Sequence, residues 1–144
     1  MSLAKGLTKL LLIASLAISS GVFGEQMQRF GNLEVHYIVV PTTFLDPKVA
    51  QSYSISRAKN QAIVNLSVIN NSGNAIKCSI EGEALNLLGQ RSRLEFREIV
   101  EDKAIYYIAQ LRHDDEEIMR FLIDILMPSN QSITLEFNQK LYWE

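Results

Sequence analysis

Two histidines, a run of four carboxylates and a single cysteine are the residues here with the chemistry to catalyse or to hold a metal. His36 alternates with Val35 and Tyr37, which places it on the strand face opposite the inferred core. A metal site would need further ligands, and no HxH or HExxH spacing occurs. His36 therefore reads as a hydrogen-bonded surface or interface histidine. His113 stands among acids in a turn and reads as a solvated loop residue. Asp114, Asp115, Glu116 and Glu117 lack the glycine and the terminal glutamate of a calcium loop. They read as a charged turn that guards the hydrophobic strand after it. No serine lies in a GxSxG elbow, and neither a Walker loop nor GxGxxG occurs. Cys78 alternates with Ile76 and Ile80, as a buried inert thiol would. The expectation is no catalytic residue, no metal and no cofactor.

Residues of recognition type remain. Arg57, Lys59 and Asn60 lead into a strand, and Arg97 lies mid-chain. In a strand, one of Tyr106 and Tyr107 must point outward. An exposed tyrosine near arginine is common on recognition surfaces, and an equal alternative is a sheet-face pair packed over an arginine stem. The expected binding residues are His36, Arg57, Lys59, Asn60, Asn86, Arg97, Tyr106 and Tyr107, as one polar and aromatic patch. The alternative is an enzyme with a dispersed active site, using His36 with Glu34 or Arg97.

These residues need strands to position them. Leu33, Val35, Tyr37 and Val39 share one face of a segment over about 32–40, and Ala62, Val64, Leu66 and Val68 share one over 61–69. Ile76, Cys78 and Ile80 alternate after the turn cluster Asn70-Asn71-Ser72-Gly73-Asn74. Further strands are predicted around Leu94–Ile99, Ala104–Leu111, Ile118–Met127 and from Ile133 through Leu135 to Phe137. Segment 116–127 also has helical spacing; the hairpins around it favour strand. Asp46-Pro47 is an N-cap followed by proline at the first helical position, so Lys48–Tyr53 forms a short helical turn. About seven short antiparallel strands predict an all-β, immunoglobulin-like two-sheet sandwich, with a small barrel as the alternative.

The N-terminus is of another kind. Residues 1–24 carry Lys5 and Lys9, an apolar run Leu10–Ile18 interrupted by Ser15, and Val22-Phe23-Gly24 before Glu25. That is the layout of a secretory signal peptide cleaved near Gly24. The apolar run is about half of the roughly 20 residues that a membrane span needs. The alternative is an uncleaved segment tethering an accessory protein to the inner membrane. Residues 25–144 then form a single β-sandwich domain.

Composition limits the function further. The chain has 144 residues, is 47% hydrophobic and carries a net charge of −2. Losing Lys5 and Lys9 leaves 12 basic against 16 acidic residues, a net charge of −4. A pI of about 5.7 argues against nucleic acid as a partner. One cysteine excludes an internal disulfide. No membrane contact is expected once the signal is removed.

The ordered residues carry a likeness. They include Phe30-Gly31, Glu34-Val35-His36-Tyr37, Thr43-Phe44-Leu45 with Pro47, and Arg57 with Lys59-Asn60. Val64-Asn65-Leu66-Ser67-Val68, Asn86-Leu87-Leu88-Gly89-Gln90, Leu94-Glu95-Phe96-Arg97-Glu98 and Ala104-Ile105-Tyr106-Tyr107 follow, then Arg120-Phe121 and Phe137 with Gln139-Lys140 and Tyr142. Over nearly all of 26–143 the chain resembles small exported proteins of Gram-negative bacteria that form a domain of unknown function. Ala58 departs from the serine of that pattern, which removes any hydroxyl role there. The resemblance implies a periplasmic location and a compact β-rich fold, and brings no activity, cofactor or catalytic residue. The expected function is a periplasmic, non-catalytic binding or accessory module, with another periplasmic or envelope protein as its expected partner.

Overall fold

Among the described residues, period-two alternation is realised as nine antiparallel strands in two sheets. A computed structural model describes residues 24–144, so the expected signal segment, except Gly24, lies outside the described residues. The first sheet is made of β1 (Gln26–Phe30), β2 (Leu33–Pro41), β3 (Gln61–Asn70), β7 (Ala104–Arg112) and β6 (Arg97–Glu101), in that spatial order. The second is made of β5 (Arg91–Leu94), β4 (Ser79–Leu85), β8 (Glu117–Leu126) and β9 (Ser132–Leu141), again in spatial order. The two form an open sandwich, the all-β architecture expected.

Two strands go beyond the expected number. β1 is short and largely exposed, with little alternation to betray it. The run expected over Leu94–Ile99 breaks at Glu95-Phe96, where the chain leaves the edge of one sheet for the edge of the other. Segment 116–127 is a strand, β8, with Met119, Phe121, Ile123 and Ile125 buried and Arg120, Asp124 and Leu126 exposed.

The core lies between the sheets. Val35, Tyr37 and Val39 of β2 and Val64, Leu66 and Val68 of β3 face Phe121, Ile123 and Ile125 of β8 and Leu135 and Phe137 of β9. Phe137 stacks on Tyr37 at 4.4 Å and on Phe121 at 4.7 Å between ring centroids, so one aromatic column joins the sheets.

A second apolar cluster covers the outer side of the first sheet. Between β2 and β3 the chain makes a 3-10 turn (Thr42–Phe44) and a helix, α1 (Pro47–Ser52). Asp46 caps α1 by accepting from the Lys48 N–H at 2.8 Å, as its position before Pro47 predicts. Leu45, Val49, Ala50 and Ile55 pack on Ile38, Val40, Ile63 and Ile108. Both faces of the middle of the sheet are therefore dry, which is why Ile38, Val39 and Val40 are all buried and do not alternate. The layer is fastened by Thr42, whose buried hydroxyl donates to Ala58 O at 3.0 Å and accepts from Ala58 N at 2.9 Å.

Candidate functional site

Beyond the reach of α1, the outer face of the first sheet turns polar. His36 on β2 lies directly opposite Met27 on β1 and Ser67 on β3. Asn65 lies opposite Ile38 and Ile108, and Tyr106 opposite Ile99. Directly opposed residues share a face, so His36, Asn65, Ser67 and Tyr106 stand on one surface. Ser67 and Tyr106 line a recess of about 250 Å³ together with Ala75, Asp102 and Lys103.

Carboxylates surround this surface. The His36 Nδ1–H donates to Glu25 Oε1 at 2.9 Å, and Nε2 stands 3.9 Å from Glu34 Oε2. The Tyr106 phenol is pushed up from its usual range by burial first, then by the charges of Glu25 and Glu101. The Tyr53 hydroxyl donates to Glu101 at 2.7 Å, and burial and that carboxylate push its phenol up as well. Both tyrosines stay neutral at physiological pH. The Arg97 guanidinium donates to the Tyr53 carbonyl and so ties the end of α1 to β6. Asn65 Oδ1 is enclosed and meets no donor among the described residues. The surface is thus rich in hydrogen-bond acceptors. Among the described residues, no group of three or more His, Cys, Asp or Glu is placed to hold a metal ion.

The structure does not bring the expected binding residues to one place. His36, Arg97 and Tyr106 share the outer face. Tyr107 points the other way into the core, 3% exposed; its hydroxyl accepts from Cys78 N at 2.7 Å and donates to Glu98. The alternation that turns Tyr106 outward requires this. Arg57, Lys59, Asn60 and Asn86 lie at the end of the sandwich where β3 begins and β4 finishes. There Arg57 donates to Thr43 O, Lys59 sits 4.9 Å over the Trp143 ring, and Asn60 O accepts from the His113 N–H. Asn86 frames the turn into β5, accepting from the N–H groups of Leu88 and Gln90 and donating to Glu117.

His113 is a correction. It is buried, 4% exposed, and not solvated. The C-terminal segment folds over it, with Trp143 Nε1–H donating to His113 O at 3.0 Å, while its own Nδ1 lies 2.8 Å from Asp114 O. Glu25, Asn65 and Glu101 were not singled out from sequence. Glu25 stands beside the expected cleavage point, and β1 carries too little alternation to place it. Cys78 faces the core but is half-buried and not fully buried as expected, with its Sγ 3.5 Å from Met127 Sδ. A larger open groove, about 840 Å³, crosses the outer face of the second sheet. Within it Glu83 pairs with Arg91 at 2.8 Å and Asp124 accepts from the Thr134 hydroxyl at 2.9 Å, as on a solvated face.

Residues 27–144 match the family described as "Domain of unknown function (DUF4426)". No curated protein matches the chain. A solved structure of a DUF4426 family protein from Pseudomonas aeruginosa PAO1 is similar at 35% identity and a TM-score of 0.76, covering 84% of this chain and 97% of that one. FetP of uropathogenic Escherichia coli strain F11, expressed in the periplasm of E. coli, is similar at 12% identity and a TM-score of 0.59, covering 83% and 95%. A copper-bound variant of FetP is similar at 10% identity and a TM-score of 0.61, covering 85% and 97%. At these identities the FetP likeness is one of fold.

Proposed function

The chain belongs to the DUF4426 family, and from that premise we propose that it is an exported periplasmic binding module, without catalytic chemistry, that holds its ligand on the outer face of the five-stranded sheet. The observation that carries this reading is the gathering of His36, Asn65, Ser67 and Tyr106 on one face, with a recess lined by Ser67 and Tyr106, the carboxylates of Glu25 and Glu34 against His36, and the charges of Glu25 and Glu101 acting on Tyr106. The surplus of acceptors favours a ligand that donates hydrogen bonds or carries positive charge. FetP offers a precedent for this fold with a ligand and in that compartment, while its copper is not assigned to this chain.

Export rests on the layout of residues 1–24. The intact mass of the protein from the periplasmic fraction is expected to lack them. A mass that retains them, recovered with membranes, supports the tethered accessory protein instead. The binding face is tested with a photo-crosslinking residue at Ser67 in cells and, as control, at Asn138 on the exposed face of the second sheet. Adducts read by intact mass, so that small ligands register too, are expected from position 67 and not from 138. Equal or reversed yields remove this face from consideration.

A second reading is an active site built on His36, favoured by its bond to Glu25 and by Ser67 directly opposite. Ser67 lies within β3 opposite His36 of β2, and the pairing of β3 with β7 ends one residue before it, at Leu66 and Tyr107. A fluorophosphonate probe that labels the wild type and not Ser67→Ala would establish that reading. An unlabelled wild type ends it.

A further inference from the structure

Two apolar features are left without a role, and they lie at opposite ends of the second sheet. At one end, the tight turn after β4 presents Leu87 and Leu88, 79% and 84% exposed. This turn is rigid. Asn86 Oδ1 accepts from Leu88 N at 3.0 Å and Gln90 N at 2.9 Å, and Asn86 N–H donates to Gln90 O at 3.1 Å. Gly89 takes φ +78°, a conformation that residues with a side chain rarely adopt. A floppy turn could fold its leucines back; this one holds them out. At the other end, a socket of about 540 Å³ opens between the β1–β2 and β8–β9 turns. Phe30, Leu33, Ile76, Met127 and Pro128 line it. β4 spans the distance, since Leu85 pairs with Arg120 beside the knob and Ser79 with Leu126 beside the socket.

The charges around the two features are complementary. Glu117 binds both Asn86 and the Asp114 N–H, so the exposed acids Asp114, Asp115 and Glu116 stand next to the knob. Next to the socket, Arg29 follows the strand into Phe30 and Lys77 follows Ile76, with side chains 63% and 75% exposed. Their carboxylate partners, Glu34 and Glu98, are 23% and 29% exposed. We propose that copies of this chain associate head to tail, Leu87 and Leu88 of one copy entering the socket of the next. Such a contact is heterologous, so each copy keeps a free knob at one end and a free socket at the other. Two leucines bury far less than the roughly 1,200–2,000 Å² of a stable interface. The association is weak, then, and grows with concentration.

Sedimentation velocity of the purified protein over a concentration series reads this directly. The wild type is expected to shift to faster species as concentration rises, and added salt to reverse part of the shift. Leu87→Asp with Leu88→Asp removes the knob, and Ser129→Glu puts a carboxylate at the socket mouth. Each is expected to weaken association about tenfold or more. All three positions are exposed turn residues, so unchanged circular dichroism is expected; Leu87→Ser with Leu88→Ser provides a milder knob variant. Mixing the knob and socket variants is the decisive arm. One still offers a socket and the other a knob, so the mixture is expected to form pairs that grow no further. A wild type that stays a single species at every concentration overturns the proposal. Association that neither variant changes overturns it too. So does association lost in the knob variant and kept in the socket variant, which marks two knobs packing on each other.

Discussion

Asn65 stands opposite two isoleucines with an acceptor that finds no donor. Replacing an unpaired polar group by an apolar one of similar volume tends to stabilise. Asn65→Leu is expected to raise the unfolding free energy by about 1 kcal/mol, read from the midpoint of a urea titration. A lower midpoint would show that Asn65 has a partner that matters to the fold. Cys78 gives a pH prediction. Burial, and after it the charge of Glu98, pushes its thiol from 9.0 to about 11. The unfolded chain releases that proton near pH 9 and the folded chain only near 11. The stability this supplies is full below pH 9 and is lost as the pH rises from 9 to 11. Thermal melts of Cys78→Ala should therefore decline less over that interval than those of the wild type. In the native protein the thiol should react slowly with a disulfide reagent at pH 8. At this scale the sequence was informative about direction and silent about company. Alternation turned His36 outward and Cys78 inward, but His113 looked solvated because the Trp143 that covers it lies thirty positions away.

Among the elements, the segment between β2 and β3 has the most exposed dependence on a single side chain. Thr42 holds both the N–H and the carbonyl of Ala58. Thr42→Val keeps the shape and leaves both groups without that partner, at a cost of about 2 kcal/mol. Hydrogen exchange should show faster exchange at Leu45, Tyr53 and Ile55 and unchanged protection in β8. Equal loss in both would mean that this layer and the sandwich unfold as one. The sequence announced α1 through Asp46-Pro47 and β8 through its hairpin neighbours. It hid the double burial of β2, because a segment wet on one face alternates and one dry on both does not. It also hid the break at Glu95-Phe96, since apolar Leu94 and Phe96 read as one continuing strand.

For the whole molecule, the two sheets meet through the column of Tyr37, Phe137 and Phe121. Phe121 is fully buried, so Phe121→Ala should cost about 3–5 kcal/mol, a large part of the stability of a domain this size. A loss under 1 kcal/mol in urea unfolding would mean that the sheets close over the gap. Strand order was not legible from sequence, because period-two patterns assign faces and leave neighbours open. That is also why the expected patch divided. Arg57, Lys59, Asn60 and Asn86 are placed by which strands adjoin, and the outer-face group by β1 bringing Glu25 beside His36.

The Thr42 clasp has a consequence for how relatives of this chain can diverge. Because the residues at either end of the 43–57 segment already touch, that stretch enters and leaves the sheet at a single point. Leu45, Val49, Ala50 and Ile55 are held by their packing on the sheet, while exposed positions such as Lys48, Gln51 and Ser56 can change without altering the register of any strand. The stretch also borders the polar outer face, through Tyr53 and Arg97. The clasped segment therefore has an apolar underside fixed by the sheet and an outer surface where specificity can change without disturbing the sandwich.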